Sequence, residues 1–310
     1  MDIRADEAKD ISNLITTWLT DEKYELEVTF GENHVVDSNT FLSVAQYLRT
    51  KGFDTDPQDD YLNIITPSIR FTLHGLGVIE QYCTDNSLDG KMYEAIIKES
   101  ARDKLDIDEY NIRFKLQREN KLTDDEPRVA DMIKQWKTQK KAFRMIRRWS
   151  FRGKGIRVDM SMIRQSPTEP NGGFVWYNKF TDAQLPKQLV RYEIEVELLH
   201  DRYTTTERAA LSALIAGAGE VLRAIQKNVL LIRKSVASQV RAEYTKLANT
   251  GAFRGVNPVT LLRQNMEDTV TENIPNIRSG YNVTDKADGL RAMGFVNSVG
   301  ELYLIDQSLN

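Results

Sequence analysis

The chain holds 310 residues, the length of one large domain or two ordinary ones, with a formal net charge of −3. No run of ~18 apolar residues suggests a membrane span, the charged N-terminus lacks the apolar core of a signal peptide, and a single cysteine, Cys83, excludes an intrachain disulfide and fits a reducing compartment. Near-neutral charge excludes a global basic field, so any contact with nucleic acid must come from a local cluster.

A first amphipathic helix is expected over residues 5–19, with Ile11, Leu14, Ile15, Trp18 and Leu19 on one face. Runs with period-two alternation follow at 24–30, 69–74, 111–119, 143–151, 156–163 and 191–199 and predict strands. Helices are expected near 40–50, near 91–104 and after Pro127, and the Pro- and Gly-containing stretch 166–173 reads as a loop. Thr204–Thr206 can cap a long helix running from Glu207 to about 248, with Leu214, Ala218, Leu222, Val229, Val236 and Val240 in its apolar stripe. Gly251, Gly255 and Pro258 end that pattern, so two domains are expected, 1–245 and 246–310.

The strand faces carry the functional argument. Side chains two apart in a strand share a face, about 7 Å from each other. In 24–30, Glu25, Glu27 and Thr29 oppose Tyr24, Leu26, Val28 and Phe30; in 191–198, Arg191, Glu193, Glu195 and Glu197 oppose Tyr192, Ile194, Val196 and Leu198. Carboxylates so placed repel, and a hard divalent cation between them turns that cost into a binding site. Other strands bear the opposite charge: Arg70, Thr72 and His74; Arg113, Lys115 and Gln117; Arg144, Arg148 and Ser150; and Arg157 with Asp159 and Ser161. Ile146 and Arg147 interrupt the alternation of the third of these. For a single strand, a polar face that meets water is the ordinary explanation. Acidic and basic strands together, each with a strongly apolar opposite face, are all satisfied by an α+β protein in which a closed antiparallel β-barrel has a charged interior and helices packed outside. A phosphate chain bridging metal and basic groups is the simplest ligand.

Glu25-Leu26-Glu27 and Glu193-Ile194-Glu195-Val196-Glu197 resemble the two glutamate motifs of the triphosphate tunnel metalloenzymes, and Arg157-Val158-Asp159-Met160-Ser161 resembles a further strand motif of that family. Within it, residues 20–200 look most like the RNA triphosphatases of fungal and large-DNA-virus mRNA capping enzymes. The resemblance implies hydrolysis of the γ-phosphate of 5′-triphosphate RNA to leave diphosphate RNA. It implies Mg2+ or Mn2+ held by Glu25, Glu27, Glu193, Glu195 and Glu197, and phosphates neutralised by Arg70, Arg113, Lys115, Arg148 and Arg157. Asp159 is expected to orient a basic neighbour.

Tyr281–Arg291 contains Lys286, Asp288, Gly289 and Arg291 in the order Lys-x-Asp-Gly-x-Arg, preceded by an alternating stretch that reads as a strand. This resembles the nucleophile motif of the covalent nucleotidyltransferases, as Asn257-Pro258-Val259-Thr260 resembles a stretch of viral capping enzymes. On that resemblance Lys286 is the nucleophile, Asp288 and Arg291 serve the nucleotide, and Gly289 allows a tight turn. A chance Asp-Gly hairpin turn is the competing explanation. Counting from Arg291 to Asn310 leaves 19 residues, too few for the family's remaining motifs. The expectation is therefore a triphosphatase joined by a long helix to the start of a guanylyltransferase domain that is inactive as it stands. Its partners are 5′-triphosphate RNA, the remaining guanylyltransferase domain and a methyltransferase, with no membrane, and the resemblance implies a cytoplasmic location, in the viral factory or the virion of a large DNA virus. Two alternatives stay open: a tunnel enzyme acting on inorganic triphosphate, nucleotides or polyphosphate, and a fragment of a polynucleotide ligase.

Overall fold

The computed structural model describes residues 1–99, 103–170, 172–255, 260–267, 274, 276–278, 280–285, 289, 291–307 and 309. The chain enters through α1 (Ala5–Trp18), where Glu7 reaches back to accept the Arg4 backbone N–H at 2.9 Å. After β1 (Tyr24–Phe30), α2 (Ser38–Thr50) is capped by Asp37, whose Oδ1 accepts from the N–H groups of Asn39 and Thr40. Then come β2 (Asp54–Thr55), β3 (Asp59–Ile65), β4 (Arg70–His74), α3 (Leu76–Asp85), β5 (Glu94–Glu99), β6 (Lys104–Ile107), β7 (Ile112–Leu122) and α4 (Pro127–Lys134). β8 (Ala142–Arg152), β9 (Ile156–Gln165), β10 (Arg191–Leu198) and α5 (Glu207–Gln226) complete the first of two compact units, Met1–Leu231.

Antiparallel pairing in the order β1-β10-β9-β8-β3-β4-β5-β7 returns to β1 and closes an eight-stranded barrel, with β2 and β6 as side branches on β8 and β7. The outward faces form two apolar layers. Leu26, Val28, Phe114, Met160, Ile194 and Val196 lie with Ile15 and Trp18 of α1, Val44 of α2 and Leu214 of α5. Leu62, Ile64, Phe71 and Phe143 lie with Tyr82 of α3 and Val129 of α4. Each such side chain stabilises the fold by ~1.5–3 kcal/mol when fully buried, which leaves the inward faces free to be polar. α5 is long and apolar enough to cross a membrane by length and composition, yet its Leu214, Ala218 and Val221 are spent on the barrel's outer layer. It approaches so closely that a Cβ on Gly217 would stand 2.3 Å from Ile156 Cδ1.

Several expectations need correction. The helix expected at 91–104 is two strands, β5 and β6, because β4 and β7 each need a partner for the barrel to close. β3 and α3 were not expected at all. The single helix over 207–248 is α5 and α6 (Lys234–Ala248): Lys227 takes a left-handed conformation, φ 52°, and ends the first helix. The second compact unit is Ile232–Asn310. In that unit α6 packs Val240 and Tyr244 on Phe295 of β11 (Ala292–Val296) and Ile305 of β12 (Leu302–Asp306), an antiparallel hairpin. Residues 281–285 form no strand.

Lys141, just ahead of β8, is fully buried, and its ammonium donates to the carbonyls of Trp136 (2.6 Å) and Gln139 (2.7 Å). Burial pushes it down to about 8 from 10.5. Between those values the unfolded chain holds a proton the folded protein has released, so stability rises as pH climbs from about 8 to 10.5. Lys141→Met should remove that slope in thermal melts. It should also cost about 2 kcal/mol at pH 7 by orphaning two carbonyls; an unchanged slope would refute this.

Candidate active site

The barrel encloses a cavity of about 530 Å³, within the range of small-molecule sites. Its wall follows from strand register. β1 and β10 set Glu27 opposite Glu197 and Thr29 opposite Glu195. β10 and β9 set Glu197 opposite Arg157, Glu195 opposite Asp159 and Glu193 opposite Ser161. On its other edge β1 sets Glu27 opposite Lys115. The two acidic strands are thus neighbours, flanked on both sides by strands that bring cations.

Each glutamate meets a base. Arg144 Nη2 lies 2.8 Å from Glu193, Arg148 Nη2 3.6 Å from Glu195, Arg157 Nη2 2.5 Å from Glu197 and Lys115 Nζ 2.9 Å from Glu27. Lys98 Nζ lies 3.4 Å from Glu25 and 2.5 Å from Glu119, which Arg70 also contacts at 3.0 Å. Asp159 is almost wholly buried and accepts from Arg148 Nη1 (3.0 Å), from Arg157 Nε and Nη2 (3.0 Å each) and from Ser150 Oγ (2.6 Å). It holds two guanidiniums side by side.

The carboxyls differ in charge state. Burial pushes Glu195 up to about 7, with Glu27 and Glu193 adding repulsion. Burial also pushes Glu25 to about 7 against the pull of Lys98, and it raises Glu197 against Arg157. Burial would raise Glu119 too, but Lys98 and Arg70 outweigh it and hold that carboxyl below its ordinary value. Arg148 is also buried, yet Asp159, Tyr61 and Glu195 keep it more firmly charged than usual. Buried Nε atoms of Arg70 and Arg144 have no hydrogen-bond partner.

The donor set fits a hard divalent ion: carboxylate oxygens only, with three of the carboxyls, those of Glu25, Glu195 and Glu197, carrying raised pKa values that a cation would relieve. Among the described residues no three acidic, histidine or cysteine side chains already converge on one point, so binding an ion requires glutamates to exchange basic partners for it.

Of the residues singled out in the sequence, Glu25, Glu27, Glu193, Glu195, Glu197, Arg70, Lys115, Arg148, Arg157 and Asp159 all line this cavity. Arg113 does not line it; it is held by Asp106 of β6, Nε to Oδ1 2.5 Å and Nη2 to Oδ2 2.9 Å. Lys286 and Asp288 lie outside the described residues, as do Asn257, Pro258 and Val259. Gly289 stands in a bend where a Cβ would meet nothing within 4 Å, and the Arg291 guanidinium lies 5.3 Å from the Phe253 ring. Sequence reasoning missed Lys98, Glu119, Asp59 and Tyr61. The alternation of Glu94, Ile96 and Lys98 against Ala95 and Ile97 was the available signal for the first.

A closed eight-stranded antiparallel barrel with outer helices and a lumen of carboxylates, arginines and lysines is the triphosphate tunnel fold. The chain is similar to the RNA triphosphatase domain of the trifunctional mimivirus mRNA capping enzyme, with a TM-score of 0.53 and 20% identity over 73% of this chain and 100% of that one. It is also similar to a second structure of the mimivirus capping enzyme triphosphatase, with a TM-score of 0.51 and 15% identity over 71% of this chain and 99% of that one. No protein-family model and no curated protein matches the chain. At these identities the likeness shows the fold.

Proposed function

We propose that the barrel is a metal-dependent RNA 5′-triphosphatase that hydrolyses the γ-phosphate of 5′-triphosphate RNA to 5′-diphosphate RNA and inorganic phosphate, the first step of mRNA capping. The observation that carries this is the pair of adjacent acidic strands facing a basic wall inside one closed lumen. A bound Mg2+ or Mn2+ would supply Lewis-acid polarisation of a phosphoryl oxygen. Glu25, Glu27, Glu193, Glu195 and Glu197 would hold it. Arg70, Lys115, Arg148 and Arg157 neutralise the phosphate chain and the charge that builds as the bond to the bridging oxygen breaks. Asp159 keeps Arg148 and Arg157 aimed at one place. The proton of the attacking water passes to a lumen carboxylate that is not itself holding the metal at that moment.

On this reading the second unit opens a guanylyltransferase domain with Lys286 as its nucleophile, and the partners are the remainder of that domain and a methyltransferase. The test is phosphate release from triphosphate-ended RNA. Release with magnesium or manganese that stops on chelation is expected. A folded protein that releases none, or releases it regardless of chelator, overturns the proposal. Equal turnover of inorganic triphosphate, nucleotides or polyphosphate would move the assignment to another tunnel substrate.

A further inference from the structure

We propose that one end of the lumen, marked by His74 and Asp59, receives the nucleoside that carries the triphosphate, its base stacked on the His74 imidazole. The inference rests on the triphosphatase reading and names what that site selects. Strands alternate direction around the barrel, so the start of β3 and the finish of β4 lie at the same end. Asp59 opens β3 and His74 closes β4. The His74 side chain is 47% exposed, and its Nδ1 lies 3.2 Å from Asp59 Oδ2, a contact that sets the plane of the ring.

Behind His74 lies the Tyr61 ring, 5.6 Å between centroids and tilted by 33°. The Arg148 guanidinium stands over Tyr61 at 5.3 Å, and Arg148 contacts Asp159 and Glu195. Three flat groups therefore run in series from solvent to the carboxylates. Nucleobases stack on histidine, tyrosine and guanidinium planes, whatever their identity, because every base has a π-face. Tyr61 also packs with Ile146 and Ile163 in a small buried apolar cluster whose three members all line the cavity. A phosphate chain gains nothing from that patch, whereas a base and ribose do. At the opposite end Arg113 is held by Asp106, and His34 Nδ1 lies 3.1 Å from Thr29 Oγ1. Among the described residues, His74 and Tyr61 are the one aromatic pair with both members on the lumen wall.

Steady-state kinetics of wild type, His74→Ala and His74→Phe on triphosphate-ended RNA and on inorganic triphosphate test this. His74→Ala should raise KM for RNA about tenfold relative to KM for inorganic triphosphate, in line with the loss of one stacking contact. Its effect on kcat should be small, and His74→Phe should restore the ratio. An RNA with an abasic first nucleotide should bind wild type about tenfold more weakly than intact RNA in an equilibrium titration, a readout that needs no turnover. Equal KM changes on both substrates, or abasic RNA bound as well as intact RNA, overturns the nucleoside subsite. A wild type that releases phosphate from neither substrate instead overturns the triphosphatase reading, and the titration still decides the subsite.

Discussion

Glu195→Ala is expected to lower kcat for γ-phosphate release by roughly 10²–10³, the size of effect seen when one preorganised electrostatic group is removed from an active site. Glu195 sits midway along its strand between Glu193 and Glu197, opposite Asp159, and its carboxyl is raised by burial and by repulsion from Glu27 and Glu193. At neutral pH that charge is a cost to the metal-free fold. Glu195→Gln should therefore melt at or above the wild-type temperature without divalent ions while losing activity. A folded variant that keeps wild-type kcat would remove Glu195 from the proposed metal site, and a Glu195→Gln protein that melts well below wild type would refute the cost assigned to its charge.

Asp159→Ala is expected to act in the opposite way, on stability first. Asp159 is 2% exposed, and its carboxylate is shared by Arg148, Arg157 and Ser150. Removing it leaves two partly buried guanidiniums with Glu195, Glu197, Ser161 and the Tyr61 ring as their neighbours, and taking a buried carboxylate out of such pairs costs about 3–5 kcal/mol. For a unit of this size that lowers the barrel's Tm by roughly 10 °C. The freed arginines should then bind anions more readily, so tripolyphosphate should raise the variant's Tm more than the wild type's. A Tm shift near zero would mean that the two arginines do not depend on Asp159.

Both variants act through contacts that a one-dimensional pattern does not contain. The alternation in 24–30 and 191–198 was legible because every second residue is apolar without interruption. In 143–151 the same rule faltered at Ile146, which the structure places inside the lumen on Tyr61, where apolar and charged residues share one face. β3 was hidden by its context, since Asp59, Asp60 and Asn63 between Pro57 and Pro67 have the composition of a loop. β5 was hidden by propensity. Glu94, Ala95, Lys98 and Glu99 favour helix locally, but the edges of β4 and β7 offer backbone partners that an isolated helix cannot match. Losing β5 also lost Lys98, the base that meets Glu25 and Glu119 together.

Which side chains share a strand face follows from the order of residues alone, because strand geometry has period two and needs no knowledge of neighbours. The same order requires that the apolar faces be covered and that the acidic and basic faces meet something charged. Which base serves which glutamate, the hold of Asp106 on Arg113 and the bridging of Arg148 and Arg157 by Asp159 emerge in the folded barrel. Those pairings depend on strand register around a closed ring, and register is set jointly by all eight strands as the barrel shuts.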